Sequence, residues 1–449
     1  MTELPLPSLT LLALGLTYLL VARYIRSVLS WKARSRGRPL PPGPKPLPIV
    51  GNILSVPKTK AWEVYRDMSQ TYGDIISLQL LGQRVMILGS AKATFELLEK
   101  RSGNYSDRPV SPMIELIGWE WDFGFMPYGQ SWRRHRRLFW QHFHPGVVSK
   151  YHAVQREASA KFLQNLLASP EQLEDHIRYA FASSVLKAVY GIEVAERGDK
   201  IVDTVETAME GVAVGMTPGA FLVEYLPILR YVPEWVPGAG CQKQLKRWRT
   251  ASHAMVDLPF EEAKEAMTIS TFQTFFLAMS LHLKVQERAR AELAAAIGTD
   301  RLPDLSDRDA LPFIDAIIKE CIRWQNATPL GLPHAVVEDD EYDGYFIPAG
   351  TVTFPNAWAI LHNAEDYPDP DSFLPERFLK DGQLNPDVRD PATVAFGFGR
   401  RICPGRYFAD AALFLNIARV LHVFDISAPL DAAGQPIRIE PKMKDGFLS

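Results

Sequence analysis

From residue 53 onward one pattern dominates the chain: apolar residues recur three and four positions apart in one long segment after another. It runs through 90–100 (SAKATFELLEK), 148–169, 283–298 and 309–325. Each such segment has a stripe to bury. In a chain of 449 residues, 47% of them hydrophobic, there is enough apolar material for one large core. Strand-like alternation is confined to short runs: 74–89 reads as a hairpin, and 342–356 as strand, turn, strand. No repeat, low-complexity tract or second core is visible. The expected fold class is mainly α with small β-sheets, in a single domain over 53–449.

The N-terminus is different. Leu4 to Ala22 carries no charge and is about as long as a bilayer-crossing helix needs to be. Arg23, Arg26, Lys32, Arg34, Arg36 and Arg38 follow it, whereas only Glu3 precedes it, which places the rest of the chain in the cytosol. Residues 1–26 are therefore expected to form a transmembrane anchor. A cleaved signal peptide is the alternative, but it lacks a basic start and a small-residue cleavage site. Residues 27–52 read as a basic, proline-rich hinge whose stretch PLPPGPKPLPIVGN is stiff and extended. On this topology the glycosylation-like triplets at Asn104 and Asn326 are chance matches.

A net charge of −3 gives no reason to expect nucleic acid. Cys241, Cys321 and Cys403 are far apart, without CxxC spacing, so neither a disulfide framework nor zinc is expected. The informative one is Cys403, in FGFGRRICPG (396–405). Gly397-x-Gly399 does not begin a nucleotide loop, because Arg400, Arg401 and Ile402 stand where a third glycine and a helix are needed. Pro404-Gly405 and then a helical stretch follow Cys403. That places the sulfur at a helix N-terminus, where a thiolate is stabilised. Gly399 and Gly405 would let backbone approach something flat, and Arg401 supplies a cation. This set suits haem, with iron on the sulfur and arginine on a propionate. Cys241 and Cys321 read as buried structural thiols.

Phe396-x-x-Gly399-x-Arg401-x-Cys403-x-Gly405 resembles the haem-binding loop of the cytochrome P450 family, microsomal and fungal-like in type. Further motifs agree in order. Glu320-x-x-Arg323 and Pro375-Glu376-Arg377-Phe378 resemble the segments that form a buried Glu-Arg-Arg network. Trp132-x-x-x-Arg136 is similar to the pair that holds haem propionates. Pro333-His334-Ala335 resembles a segment whose histidine contacts a propionate. The resemblance implies a haem-thiolate monooxygenase with haem b, its iron held by Cys403. It implies an endoplasmic reticulum membrane location with a single span. Electrons would come from NADPH–cytochrome P450 reductase, for which Arg133, Arg134, Arg136 and Arg137 either form a docking surface or are simply solvated. The aromatic stretch in 105–130 and the apolar one in 216–236 match regions that line the family's pocket and entrance, or serve as packing. They suggest a lipophilic small molecule of secondary metabolism or a xenobiotic.

The resemblance has one break. The family's long central helix carries an Ala/Gly-Gly-x-Asp/Glu-Thr stretch that helps protons reach iron-bound dioxygen. Here LPFEEAKEAM runs directly into TISTFQTFFLAM near Met267-Thr268, as if about fifty residues were missing. Thr268 is the one candidate for the relay alcohol, and its acidic partner is absent; Glu262 and Glu265 have no claim from the motif. Three expectations follow: a monooxygenase, a haem-thiolate isomerase or dehydratase that needs no dioxygen, or a truncated inactive haem-binding membrane protein.

Overall fold

The computed structural model describes residues 6–57, 59–193, 195–196, 199–217, 221–224, 226–233, 235–236, 240–257, 265–431, 434–437 and 439. Residues 1–5 of the expected anchor, and 258–264 beside the expected join, Glu262 among them, lie outside the described residues. The principal helices are α1 (Leu6–Ser35), α2 (Gln130–Phe143), α3 (His152–Ala168), α4 (Leu173–Tyr190), α5 (Lys200–Gly215), α6 (Cys241–Asp257), α7 (Glu265–Leu281), α8 (Leu283–Ile297), α9 (Pro312–Trp324) and α10 (Arg406–Val423). The helical periodicity therefore reads correctly over 148–169, 283–298 and 309–325, and 90–100 is helical as well.

The core forms around α10, which is packed among α3, α7, α8 and α9. Its Leu413, Phe414, Ile417 and Leu421 are fully buried, as befits a helix apolar on nearly every side. Phe272 of α7 packs against Phe162 of α3, Phe181 of α4 and its own neighbours Phe275 and Phe276, with ring centroids 5.2–5.6 Å apart. Proline opens α9 in the first turn, where its missing N–H costs nothing.

Glu320 and Arg323, one turn apart on α9, are both fully buried. The Arg323 guanidinium donates to both Glu320 oxygens at 2.8 Å. Arg377 donates to Glu320 at 3.2 Å, and the Leu374 N–H at 2.8 Å. The remaining Arg323 hydrogens reach the carbonyls of Leu361, Pro370 and Ser372. This is a satisfied buried network that fastens the 368–377 loop to α9.

The main sheet runs β1–β2–β6–β3: β1 (Ile75–Leu80), β2 (Gln83–Leu88), β3 (His334–Ala335) and, after a separate pair of β4 (Asp340–Tyr342) with β5 (Tyr345–Ile347), β6 (Val352–Pro355). β1 and β2 form the expected hairpin, closed by Leu81-Gly82, both at positive φ. In 342–356 the two strands and the turn also exist, but β5 pairs backwards with β4 while β6 joins β2 in parallel. Alternation shows that strands exist; it does not name their partners.

The N-terminal boundaries shift. α1 is one helix of 30 residues and runs through the basic stretch assigned to the hinge. Its end is held to the body by Arg34 on Asp339 (2.8 Å) and by Trp31 edge-on to Phe346 (5.3 Å). The proline-rich stretch lies against β1, with the Ser77 N–H donating to the Pro42 carbonyl (2.7 Å). A Cβ on Gly43 would stand 2.0 Å from the Ser77 oxygen, so only glycine fits there. Among the described residues no helix is long and apolar enough to cross a membrane.

Candidate functional site

The site is organised by the turn that precedes α10. Gly397 adopts φ +80°, and the Cys403 N–H returns to the Phe396 carbonyl (2.8 Å), so residues 396–403 close into a compact loop. Gly405 caps α10, and Arg406 donates to the Cys403 carbonyl (2.9 Å). Cys403 is half-buried at the helix start and opens onto a cavity.

Five other expected residues line the same cavity: Trp132, Arg136, His334, Phe396 and Arg401. Elements far apart in sequence deliver them. α2 presents Trp132 and Arg136 one turn apart, and β3 holds His334 opposite Thr353 of β6. The Arg401 guanidinium lies 4.5 Å over the Trp132 ring and donates to the carbonyls of Ser106 (2.7 Å), Phe123 (3.1 Å) and Met126 (2.7 Å).

Sequence reasoning missed Arg108. It is buried beside Arg401 and lines the cavity. It donates to the carbonyls of Gly124 (2.8 Å) and Pro333 (2.6 Å). No motif marks it, because the Ala335 N–H, bonded to the Asp107 carbonyl (2.9 Å), is what draws that loop to β3. The aromatic stretch also reaches the site: Trp119, Trp121, Phe123 and Phe125 line the cavity.

The electrostatics are unusual. Among the described residues, Arg108, Arg136 and Arg401 form no ion pair. Burial lowers Arg136 to about 10, the nearby Cys403 sulfur opposing this and Arg406 adding to it. Burial likewise lowers Arg401 to about 10, with Asp107 resisting. Arg108 is pushed well down by burial and by Arg401. His334 is pushed well down by burial, Arg108 and Arg401. Its Nδ1 meets the Tyr105 carbonyl at 2.6 Å; a carbonyl only accepts, so the proton sits on Nδ1. Two buried guanidiniums held by carbonyl dipoles, Arg108 and Arg401, and the half-buried Arg136 want an anion. Together with a thiol at a helix start, they fit a group that carries two carboxylates and a metal.

Three expected residues do not line the cavity. Gly399 (φ +54°) is required elsewhere: a Cβ there would stand 2.3 Å from the Leu98 carbonyl oxygen, so it serves close packing of the loop on the 95–100 turn. Gly405 is buried as the helix cap. Among the described residues none of α7 lines the cavity, and Thr268, expected as the relay alcohol, is buried near the start of that helix. Met209 and Val212 of α5 and Met255 of α6 close that side instead. Of the other cysteines, Cys321 is buried and its thiol is pushed well up, but Cys241 is exposed at the start of α6, contrary to the buried thiol expected.

Comparison with known proteins agrees with this geometry. The family model described as Cytochrome P450 matches residues 41–267 and 265–448. The chain is 38% identical to cytochrome P450 monooxygenase COX1 of Coprinopsis cinerea, over 96% of this chain and 93% of that protein. It is 35% identical to a tryptamine 4-monooxygenase of Psilocybe cyanescens, over 98% and 94%. With cytochrome P450 monooxygenase ple1 of Rhodocybe pseudopiperita it is 36% identical over 496 positions that take in all of its 449 residues, leaving about fifty positions filled only in that relative. The chain belongs to the cytochrome P450 family of monooxygenases, whose members carry haem on a cysteine thiolate.

Proposed function

We propose that the chain is a haem-thiolate monooxygenase of the endoplasmic reticulum membrane that oxidises a lipophilic small molecule of secondary metabolism or a xenobiotic. Cys403 would hold the haem iron through its thiolate, Trp132, Arg136, His334 and Arg401, joined by Arg108, would hold the propionates, and Phe396 would help enclose the group. NADPH–cytochrome P450 reductase supplies two electrons; with two protons, one atom of dioxygen enters the substrate and the other leaves as water. The haem supplies the oxidising chemistry and the polypeptide positions and encloses it. The arginines would neutralise its carboxylates, and Trp119, Trp121 and Phe125, which line the cavity, would exclude water from it. One observation carries the reading: Cys403 and three guanidiniums, of Arg108 and Arg401 buried and of Arg136 half-buried, line one cavity and form no ion pair among the described residues.

Leu11, Leu14, Leu16, Leu19 and Leu20, exposed on α1, support attachment of that helix to lipid. Exposed Leu222, Ile228, Tyr231 and Trp235 support an entrance that faces lipid. Thiolate ligation is tested with the reduced, carbon-monoxide-bound protein. It should give the red-shifted Soret band of a thiolate-held haem, and Cys403→Ser should lose it; an unchanged band in the variant refutes the assignment.

A second reading is favoured by α7. Among the described residues nothing from that helix lines the cavity, and the two residues directly before Thr268 are Ala266 and Met267, not an acid. A rearrangement or dehydration on thiolate-held haem needs neither proton delivery to dioxygen nor a reductase. Conversion of substrate without air would select it; reductase-dependent NADPH consumption coupled to product would exclude it. We read the fifty-position shortfall as a segment missing between Met267 and Thr268, from a splice product or a shortened gene. Sequencing transcripts across the codons for 255–275 tests this.

A further inference from the structure

A second cavity, of about 920 Å³, adjoins the first and shares Arg108, Phe125 and Leu332 with it as common wall. It lies between the main sheet and Met216, Glu224, Pro227 and Arg230, and its size suits a small organic ligand. Most of its wall is apolar, as with Leu80, Val85, Ile114, Val352 and Phe354.

Four charged residues line it, and three are engaged. The Asp107 carboxylate accepts from the backbone N–H groups of Arg108 (2.9 Å) and Tyr128 (2.7 Å). Arg108 is bound to carbonyls as described. Arg230 pairs with Glu115 (3.3 Å) and donates to the Tyr231 hydroxyl (2.7 Å). The fourth is Glu224. Among the described residues its one side-chain partner is the Ser111 hydroxyl at 3.5 Å, the outer limit of a hydrogen bond, and it forms no ion pair. Burial pushes this carboxyl up to about 7. An isolated carboxylate in an apolar wall is costly unless a ligand pairs with it.

We propose that Glu224 is the specificity-determining residue of this enzyme, binding a protonated amine on a lipophilic substrate whose far end reaches the Cys403 cavity. The proposal rests on the reading of that cavity as the oxidising site. A bound ammonium gives Glu224 the counter-charge that the fold withholds and holds the amine away from the metal. The apolar wall takes the hydrocarbon between the two ends.

The test uses the haem-loaded full-length protein and equilibrium dialysis, which needs no turnover. The probes are N,N-dimethyl-4-phenylbutylamine and its uncharged counterpart, 4-phenylbutyl methyl ether. Glu224→Gln should weaken the amine roughly ten- to hundredfold, the value of one charge-assisted hydrogen bond, and leave the ether within about twofold. Glu224→Asp should restore part of the amine affinity. Equal losses for both probes, or an unchanged amine affinity in Glu224→Gln, overturn the proposal. Failure of the oxidising-site reading would show separately, as a missing thiolate signature in the reduced carbon monoxide spectrum of the wild type.

Discussion

Replacing Gly399 by alanine separates two explanations of that glycine: approach to the haem, or approach to the protein. At φ +54° an alanine pays about 1–2 kcal/mol for the left-handed backbone. Its Cβ would stand 2.3 Å from the Leu98 oxygen and 2.9 Å from Ser102 Cβ. The Leu98 carbonyl belongs to the backbone and cannot swing aside, so the loop itself must move. Movement breaks the bond from the Gly399 N–H to Glu99 Oε2 (2.5 Å), a charge-assisted contact worth about 1.5–3 kcal/mol. Together these give a loss of roughly 3–5 kcal/mol, a large part of a total stability near 5–15 kcal/mol. Gly397→Ala is the control. It too has positive φ, but the nearest atom to its added Cβ is the Arg401 oxygen at 3.9 Å, so it costs only the backbone term of about 1–2 kcal/mol. Gly397 lines the cavity, so its variant should impair haem uptake more than stability. The assay is urea unfolding followed by far-ultraviolet circular dichroism, with haem retention measured in parallel. A Gly399→Ala protein as stable as Gly397→Ala would refute the reasoning.

Glu320→Ala leaves the buried Arg323 and Arg377 without their shared carboxylate and should cost about 3–5 kcal/mol in the same unfolding assay; a loss under about 1 kcal/mol would show that the backbone carbonyls alone hold the loop. Glu224 gives a pH dependence: its folded-state pKa of about 7 lies above the unfolded value of 4.5, so the folded protein binds the extra proton between these values. Glu224 therefore disfavours folding progressively as pH rises through that window, and Glu224→Gln should lose less thermal stability than wild type between pH 5 and 7. Thr268→Ala should leave product formation per haem within about twofold, because its side chain lies outside the cavity; a loss of a hundredfold would place it in the reaction after all.

The proximal half of the site was legible because it is local. Cys403, Phe396 and Arg401 lie within one turn, Trp132 and Arg136 within one helical turn, and spacing alone conveys such relations. Glu320 with Arg323 is local too, and the third member, Arg377, was supplied by the resemblance rather than by spacing. What was not legible depends on register. Arg108 enters the cavity through a single strand bridge between Asp107 and Ala335, and nothing in the residues around it announces a partner more than two hundred positions away. The pairing of β5 with β4 rather than β6 escaped notice for the same reason. The role of Gly399 was misplaced because a glycine tells only that something lies close, not whether that something is cofactor or carbonyl.

The two halves of the site also differ in what holds them. The guanidinium of Arg401 is fixed by carbonyls of residues 106–126, and that of Arg108 by the carbonyls of Gly124 and Pro333; all of these lie outside α7. Nothing in that framework passes through the region where the family match breaks, so a shortened α7 leaves the cation cluster and the Cys403 turn in place. The opposite wall depends on that region directly. With no α7 residue facing the cavity among those described, Met209, Val212 and Met255 of α5 and α6 close it. These side chains can bury a lipophilic molecule, but a thioether and an isopropyl group relay no protons. Binding of haem and of ligand should thus survive the shortening, while any step that needs protons delivered to that face should be slowed. Part of the NADPH consumed should then end as peroxide rather than as oxidised substrate, and a yield of one product per NADPH would refute this division of labour.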